Sequence, residues 1–330
     1  SRIDSACHEL FGQGVDAPQG KGISLALVAV HRGRVIAERY GRQPASVFHE
    51  ERAITSDTPL ISWSMAKSIT HAAIGILFDE GLIEIDAAVP ISEWSGDDRR
   101  SITWSHLLQM RDGLDFVEDY VVDASGGGRS DVIDMLFGAG AEDVASYARS
   151  RPLLHEPGSV WSYSSGTTNV LCGMLGDLLG GREGMDRFLR ERIFEPAGMK
   201  SATATFDASG TFIGSSYVHA TARDFARFGY LYLRGGIFSD ERILDELWVD
   251  RARRQHAVDP DTGHGYGEHW WTWNGNDRTM AALGYEGQRT IVVPERDLVV
   301  VHLGKWDTSA QPLLDRTLTQ VIDAVPQIPR

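Results

Sequence analysis

The spacing of apolar and polar positions along the chain predicts strands at both ends and helices between them. Residues 23–40, ISLALVAVHRGRVIAERY, are two apolar, β-branched runs around Arg32-Gly33, the pattern of a β-hairpin. From residue 64 the apolar spacing lengthens. AKSITHAAIGILF reads as part of a buried helix over 64–80, with Gly81 as its stop signal. A mostly helical stretch continues to about residue 205, including TNVLCGMLGDLLG at 168–180, which Gly180-Gly181 closes. Inside it, GGGRS at 126–130 reads as a flexible linker. Residues 221–234 form another helix, with Thr221 as N-cap and Gly235-Gly236 at its end. Short β-rich runs follow, HGYGEHWWTW, RTMAAL, QRTIVV and DLVVVHLG, broken at turns such as Asn274-Gly275 and Pro294-Glu295. A helix near 310–324 closes the chain, and no internal repeat is present.

This order predicts an α/β (α+β) fold. One antiparallel sheet flanked by helices is built from both termini, and a helical lobe is inserted between them. In residue terms, 1–63 and 206–330 make the sheet domain, and 64–205 make the lobe that carries the helix of Ser64.

Composition narrows the function. The 330 residues are 42% hydrophobic and 24% charged, ordinary values for a soluble globular protein. No apolar run approaches the roughly 20 residues of a membrane span. SRIDSACHEL lacks the apolar core of a signal peptide. The net charge of −14 repels a phosphate backbone and disfavours nucleic-acid binding. Two isolated cysteines, Cys7 and Cys172, argue against a disulfide framework and fit a reducing, cytoplasmic compartment. A leader removed upstream would leave periplasmic or secreted destinations open. No cofactor is called for. There is no HExxH run, and His264 and His269 around Glu268 read as strand or loop histidines rather than metal ligands.

Three segments carry candidate chemistry. In Ser64-Met65-Ala66-Lys67, positions i and i+3 share a helix face, so Lys67 can reach the Ser64 oxygen. A desolvated lysine acts as a base, and the helix start favours developing negative charge. The chain has only Lys21, Lys67, Lys200 and Lys305, and of these only Lys67 follows a serine by three residues. The competing reading is a surface cap beside a solvated lysine. The second segment, Trp161-Ser162-Tyr163-Ser164-Ser165, follows the Glu156-Pro157-Gly158 turn. Tyr163 could serve there as a phenolate or as a proton relay, or could simply be a core tyrosine. The third is Gly284-Tyr285-Glu286-Gly287-Gln288, between two predicted strands. It is either a plain hairpin turn or a close backbone approach, where an N–H pairs with that of Ser64 as an oxyanion hole.

Taken together and in this order, the three segments resemble the serine β-lactamase and penicillin-binding-protein superfamily. ITWSHLLQMRDGLDF, LLHEPGSVWSYSSGTTNVL, RIFEPAGM and TARDFARFGYLYLRGG are similar to its class C-like esterase branch. Within the branch, EDYVVDAS, HWWTWNGNDR and GYEGQ look like the hydrolases of 6-aminohexanoate dimers. The resemblance implies Ser64 as nucleophile, Lys67 as its partner, Tyr163 as proton relay, and the N–H groups of Ser64 and Tyr285 as the oxyanion hole. It implies that Tyr120 contacts a substrate amide. Trp161, Ser165, Glu286 and Gly287 complete the expected substrate-binding set, and a homodimer is a possible assembly. The chain departs from the superfamily in three places. RTMAALGYEG lacks the Lys-Thr-Gly strand motif that holds a substrate carboxylate, which argues against a proficient β-lactamase. Ser164-Ser165 replaces the Tyr-x-Asn pattern, and Glu286 stands where related hydrolases often carry histidine. These readings point to a carboxylesterase or amidase acting on small molecules. A D,D-peptidase or β-lactamase, and a non-catalytic binder of peptide or cell-wall fragments, are the alternatives.

Overall fold

The computed structural model describes residues 2–12, 22–46, 50–119, 121–122, 128–274 and 276–329. Its centre is an eight-stranded antiparallel sheet. The strands are β1 (Ile23–His31), β2 (Arg34–Tyr40), β3 (Ala257–Val258), β4 (Gly265–Tyr266), β5 (Trp271–Trp273), β6 (Asn276–Gly284), β7 (Gln288–Val293) and β8 (Leu298–Lys305). Their order is β3-β4-β5-β6-β7-β8-β1-β2, so the first hairpin is the edge next to the last strand. The sheet therefore draws on both ends of the sequence, as the apolar pattern predicts.

Strand periodicity sorts the side chains onto two faces. In β8, Val299, Val301 and Leu303 join the larger core, and Leu298 and Val300 join a second one. Both faces are covered, which is why the strand reads as an unbroken apolar run. Helix α1 (Arg2–Phe11) covers the second face together with the C-terminal helix, whose Leu314, Leu318 and Val321 share a cluster with Ala6, Cys7 and Leu10. Helix α1 is an addition to the order of elements that the apolar pattern predicts. Cys7 and Cys172 are both free and buried.

The other face packs on the helical part of the chain. Helix α2 (Ala66–Asp79) is buried on all sides from Ala66 to Leu77, so it runs through the interior. Helix α3 (Ser165–Leu179) lies against it; Ser164 caps α3 by accepting from Thr167 N at 3.0 Å. Helix α4 (Ala222–Leu233) has the expected Thr221 N-cap and packs on β1, β7 and β8. The last helix, α5, spans Gln311–Asp323. Of the 126–130 linker, Gly128 and Arg129 pair with Val122 and Val121, while Gly126 and Gly127 lie outside the described residues, as does Gly275. Among the described residues, no helix is long and apolar enough to cross a membrane.

Candidate active site

Ser64 is held by the chain just before α2. Leu60–Ile61 pairs with Val218–Ala220, and Ser62 ties the junction: its N–H donates to Val218 O at 2.8 Å and its hydroxyl donates to Ser216 O at 3.2 Å. The chain then turns through Trp63 at φ +44°, a left-handed conformation that costs a residue with a side chain about 1–3 kcal/mol. Its indole is packed against Tyr217 and Tyr285 and donates to Glu286 Oε2 at 3.3 Å. A 3₁₀ turn, Trp63–Met65, feeds directly into α2 and places Ser64 at the positive end of the helix.

Lys67, one turn further on, is only 2% exposed. Its ammonium donates to Ser64 Oγ at 3.1 Å, to Ser165 Oγ at 2.9 Å and to the Ser215 carbonyl at 3.0 Å. Burial pulls its pKa down to about 8, against the opposing effect of the Glu118 carboxylate. The solvated surface lysine of the competing reading is thereby excluded. Glu118 is the member that sequence reasoning missed. One oxygen accepts from Ser165 Oγ at 2.6 Å and the other from Ser165 N at 2.7 Å. Burial raises its pKa, while Lys67 and the two Ser165 bonds pull it back. Its partner is 47 positions away in sequence, and nothing local in Glu118-Asp119-Tyr120 marks the pairing.

Tyr163 lies immediately before the Ser164 cap of α3. The Lys67 ammonium sits 4.9 Å from its ring centroid. Burial and the Glu118 carboxylate push its phenol well above the usual tyrosine range, and an interaction with the Ser64 hydroxyl pulls it partway back. Of the two forms expected from sequence, the neutral phenol is the one this environment favours. Trp161, Tyr266 and Trp271 wall this side, with ring centroids 5.1–5.8 Å apart in the Tyr163–Trp271, Trp161–Tyr266 and Tyr163–Tyr266 pairs. Ser165, expected at the substrate surface, is buried, and its hydroxyl is taken by Lys67 and Glu118. It belongs to the internal network.

The opposite side is the turn from β6 to β7. Gly284 has extended dihedrals open to any residue, so space is the constraint. A Cβ there would stand 2.4 Å from Ser62 O and 3.2 Å from Ser64 N. The strand end and the Ser62–Ser64 backbone are therefore in close contact. Glu286 and Gly287 follow at φ +60° and +85°, closing a three-residue hairpin loop. Every carbonyl of the loop is engaged: Gly284 O by Arg289 at 3.1 Å, Tyr285 O by Gln288 Nε2 at 2.9 Å, Glu286 O by Trp306 N at 2.9 Å, and Gly287 O by His302 at 2.7 Å. Burial lowers the His302 pKa to about 4, so the neutral ring donates from Nδ1, and Nε2 accepts from Ser24. Arg289 is itself paired with Asp315 at 3.0 Å. The Tyr285 side chain is 59% exposed and stands on the rim.

Tyr120 lies outside the described residues. His264 stacks on Trp273, His269 bonds Leu108 O and Thr168, and Glu268 pairs with Arg251 at 2.8 Å; each has a protein partner. Among the described residues, no group of three or more His, Cys, Asp or Glu is arranged to hold a metal ion.

Comparison with known proteins gives the same geometry a wider frame. A family profile described as Beta-lactamase matches residues 9–322. A 6-aminohexanoate-dimer hydrolase of Paenarthrobacter ureafaciens is 28% identical over 264 residues, covering 74% of this chain and 65% of the relative, so the chain spans just under two thirds of that protein's length. A Bacillus anthracis structure provisionally described as a 6-aminohexanoate-dimer hydrolase superposes with a TM-score of 0.74 at 22% identity, over 92% of this chain and 81% of the other. A family VIII carboxylesterase superposes with a TM-score of 0.70 at 13% identity, over 97% and 98%. At these identities the two structures speak for the fold.

Proposed function

The chain belongs to the beta-lactamase family, and from that membership we propose that it hydrolyses small esters, and less readily amides, through an acyl-enzyme on Ser64. Membership of the family and the Paenarthrobacter relative's name as a hydrolase support reading the chain as a serine hydrolase of this fold; the residue roles and the substrate are our reading. The observation that carries it is the contact of a buried, pKa-depressed Lys67 with the Ser64 hydroxyl at 3.1 Å.

In the proposed sequence Ser64 Oγ attacks the carbonyl carbon while the Lys67 amine takes its proton. The carbonyl oxygen gathers charge between the N–H groups of Ser64 and Tyr285, at the positive end of α2. Tyr163, as a neutral phenol, gives its proton to the leaving alkoxide or amine and takes the one held by the Lys67 ammonium, which returns the free amine. The acyl group stays on Ser64 until a water, deprotonated over the same relay, releases it. Because only the free amine of Lys67 can accept the Ser64 proton, kcat/KM should climb with pH and level off above about 8.

Neutral esters come first because Arg289, the cation bonded to the turn among the described residues, is already engaged. Arg289 is committed to Asp315, Gln311 and the Gly284 carbonyl, and Glu286 presents the opposite charge. Amide cleavage is the second reading, supported by the relative's name and by the aromatic wall beside Tyr163. The test is p-nitrophenyl butyrate hydrolysis by the wild-type protein and Ser64→Ala, with nitrocefin alongside. We expect ester turnover that disappears in the variant and weak nitrocefin cleavage. Equal ester rates from the two proteins would remove Ser64 from the mechanism.

A further inference from the structure

The bonds around Lys67 have a fixed direction. The Ser215 carbonyl can only accept. Ser165 has one hydroxyl proton and donates it to Glu118 Oε1 at 2.6 Å, while the other Glu118 oxygen accepts the Ser165 N–H at 2.7 Å. Toward Lys67, 2.9 Å away, Ser165 Oγ is therefore an acceptor as well. Two of the three Lys67 hydrogen-bond directions must then be N–H donations. The remaining tetrahedral position lies on Ser64 Oγ, which is where the lone pair falls when the amine is neutral.

We infer that Glu118 is a positioning residue of this site: acting through Ser165, its carboxylate aims the Lys67 lone pair at Ser64 and balances the charge Lys67 gains with the Ser64 proton. The inference rests on the proposed roles of Ser64 and Lys67. In the step concerned, the Ser64 O–H bond breaks and its proton bonds to Lys67 Nζ. The Oγ electron pair forms the bond to the acyl carbon, and the carbonyl π pair moves to oxygen. Lys67 ends as an ammonium donating to Ser165 and Ser215, with the Glu118 charge one hydroxyl away.

The other titratable groups facing the pair do not supply this charge. Lys67 also faces Tyr163, Cys172 and His269, and burial holds the first two protonated and His269 neutral. Glu118 also faces Tyr266, a protonated phenol, and Asp119, which is exposed. Among the described residues, Glu118 is the only anion bonded into the Lys67 network.

Glu118→Gln is nearly isosteric but reverses the polarity. The Ser165 N–H still needs an oxygen, so the amide nitrogen turns to Ser165 Oγ and donates. The Ser165 hydroxyl is then free to donate into the Lys67 lone pair, away from Ser64. For this variant we expect plateau kcat/KM on p-nitrophenyl butyrate to fall about 10²-fold. With the anion gone, the free amine persists to lower pH, and the acid limb of the profile moves down by about one pH unit. Ser165→Ala keeps the charge and removes the bridge; it should lose about tenfold with the limb in place. In the double variant the competing hydroxyl is gone, so Glu118→Gln/Ser165→Ala should be faster than Glu118→Gln alone. A merely structural Glu118 would lower the rate without moving the limb.

An unmoved limb in a folded Glu118→Gln protein, or a double variant no faster than the single, overturns the inference. If a thermal melt shows Glu118→Gln unfolded, Ser165→Ala decides, and a wild-type rate there overturns it. Failure of the functional reading looks different: the wild-type protein would be no faster than Ser64→Ala.

Discussion

The two sides of the Ser64 site are built by opposite means. On the α2 side, Lys67, Ser165 and Glu118 form a buried or half-buried polar network in which each hydrogen bond has one permitted direction. On the strand side, the 284–287 loop is fixed through its main chain: four carbonyls are tied to Arg289, Gln288, Trp306 and His302, and the Tyr285 and Glu286 side chains are left at the rim. In the proposed mechanism the first side governs a proton and the second a backbone position. Side-chain chemistry should therefore be unforgiving near α2. On the strand side only substitutions that move the backbone should matter.

Tyr163→Phe tests the first half of that contrast. In the proposed mechanism the phenol hands a proton to the leaving group, and its loss should lower kcat by roughly 10²–10⁴-fold with little change in the melting temperature. Steady-state kinetics beside a thermal melt would measure it, and near wild-type turnover would reduce Tyr163 to a packing residue.

Gly284→Ala tests the second half and should have a middle-sized effect. The added methyl meets Ser62 O at 2.4 Å, so the loop must retreat from Ser64 N. Losing one oxyanion donor costs about 10²–10³-fold in kcat, and here KM and the Lys67-controlled pH limb should stay put. A shifted limb would mean that the two sides are not independent.

Glu286→Gln should be the mildest. The side chain touches Trp63 Nε1 from the rim, while its carbonyl stays bonded to Trp306 N. Turnover of neutral esters should change less than about tenfold, the scale of one partly exposed hydrogen bond. Esters with a carboxylate in the acyl chain should gain relative to neutral ones, a ratio that competition kinetics reads directly.

The same contrast explains what the sequence disclosed. Spacing puts Ser64 and Lys67 on one helix face and leaves a surface cap as an equal alternative, as it leaves Tyr163 open between relay and core tyrosine; their expected roles come from the resemblance. The 284–287 turn was visible from its two glycines, yet the reason for Gly284, contact with Ser62 and Ser64, spans more than 200 positions. Glu118 carried no local signal, because its meaning depends on Ser165. For the same reason Ser165 was read as facing substrate. Among the elements, the hairpin at 23–40 and the helices at α2, α3 and α4 follow their apolar spacing and caps. HGYGEHWWTW divides into β4 and β5 around His269 at φ +55°, a reversal that periodicity alone does not show.

The central claim is that Ser64 is the atom that carries the acyl group, made reactive by Lys67. Labelling the intact protein with a fluorophosphonate, followed by peptide mapping, tests it most directly. The account predicts one phosphonyl adduct, on the peptide containing Ser64, formed faster as pH rises toward about 8 and absent from Ser64→Ala. An adduct on another residue, or equal labelling of the variant, would contradict it.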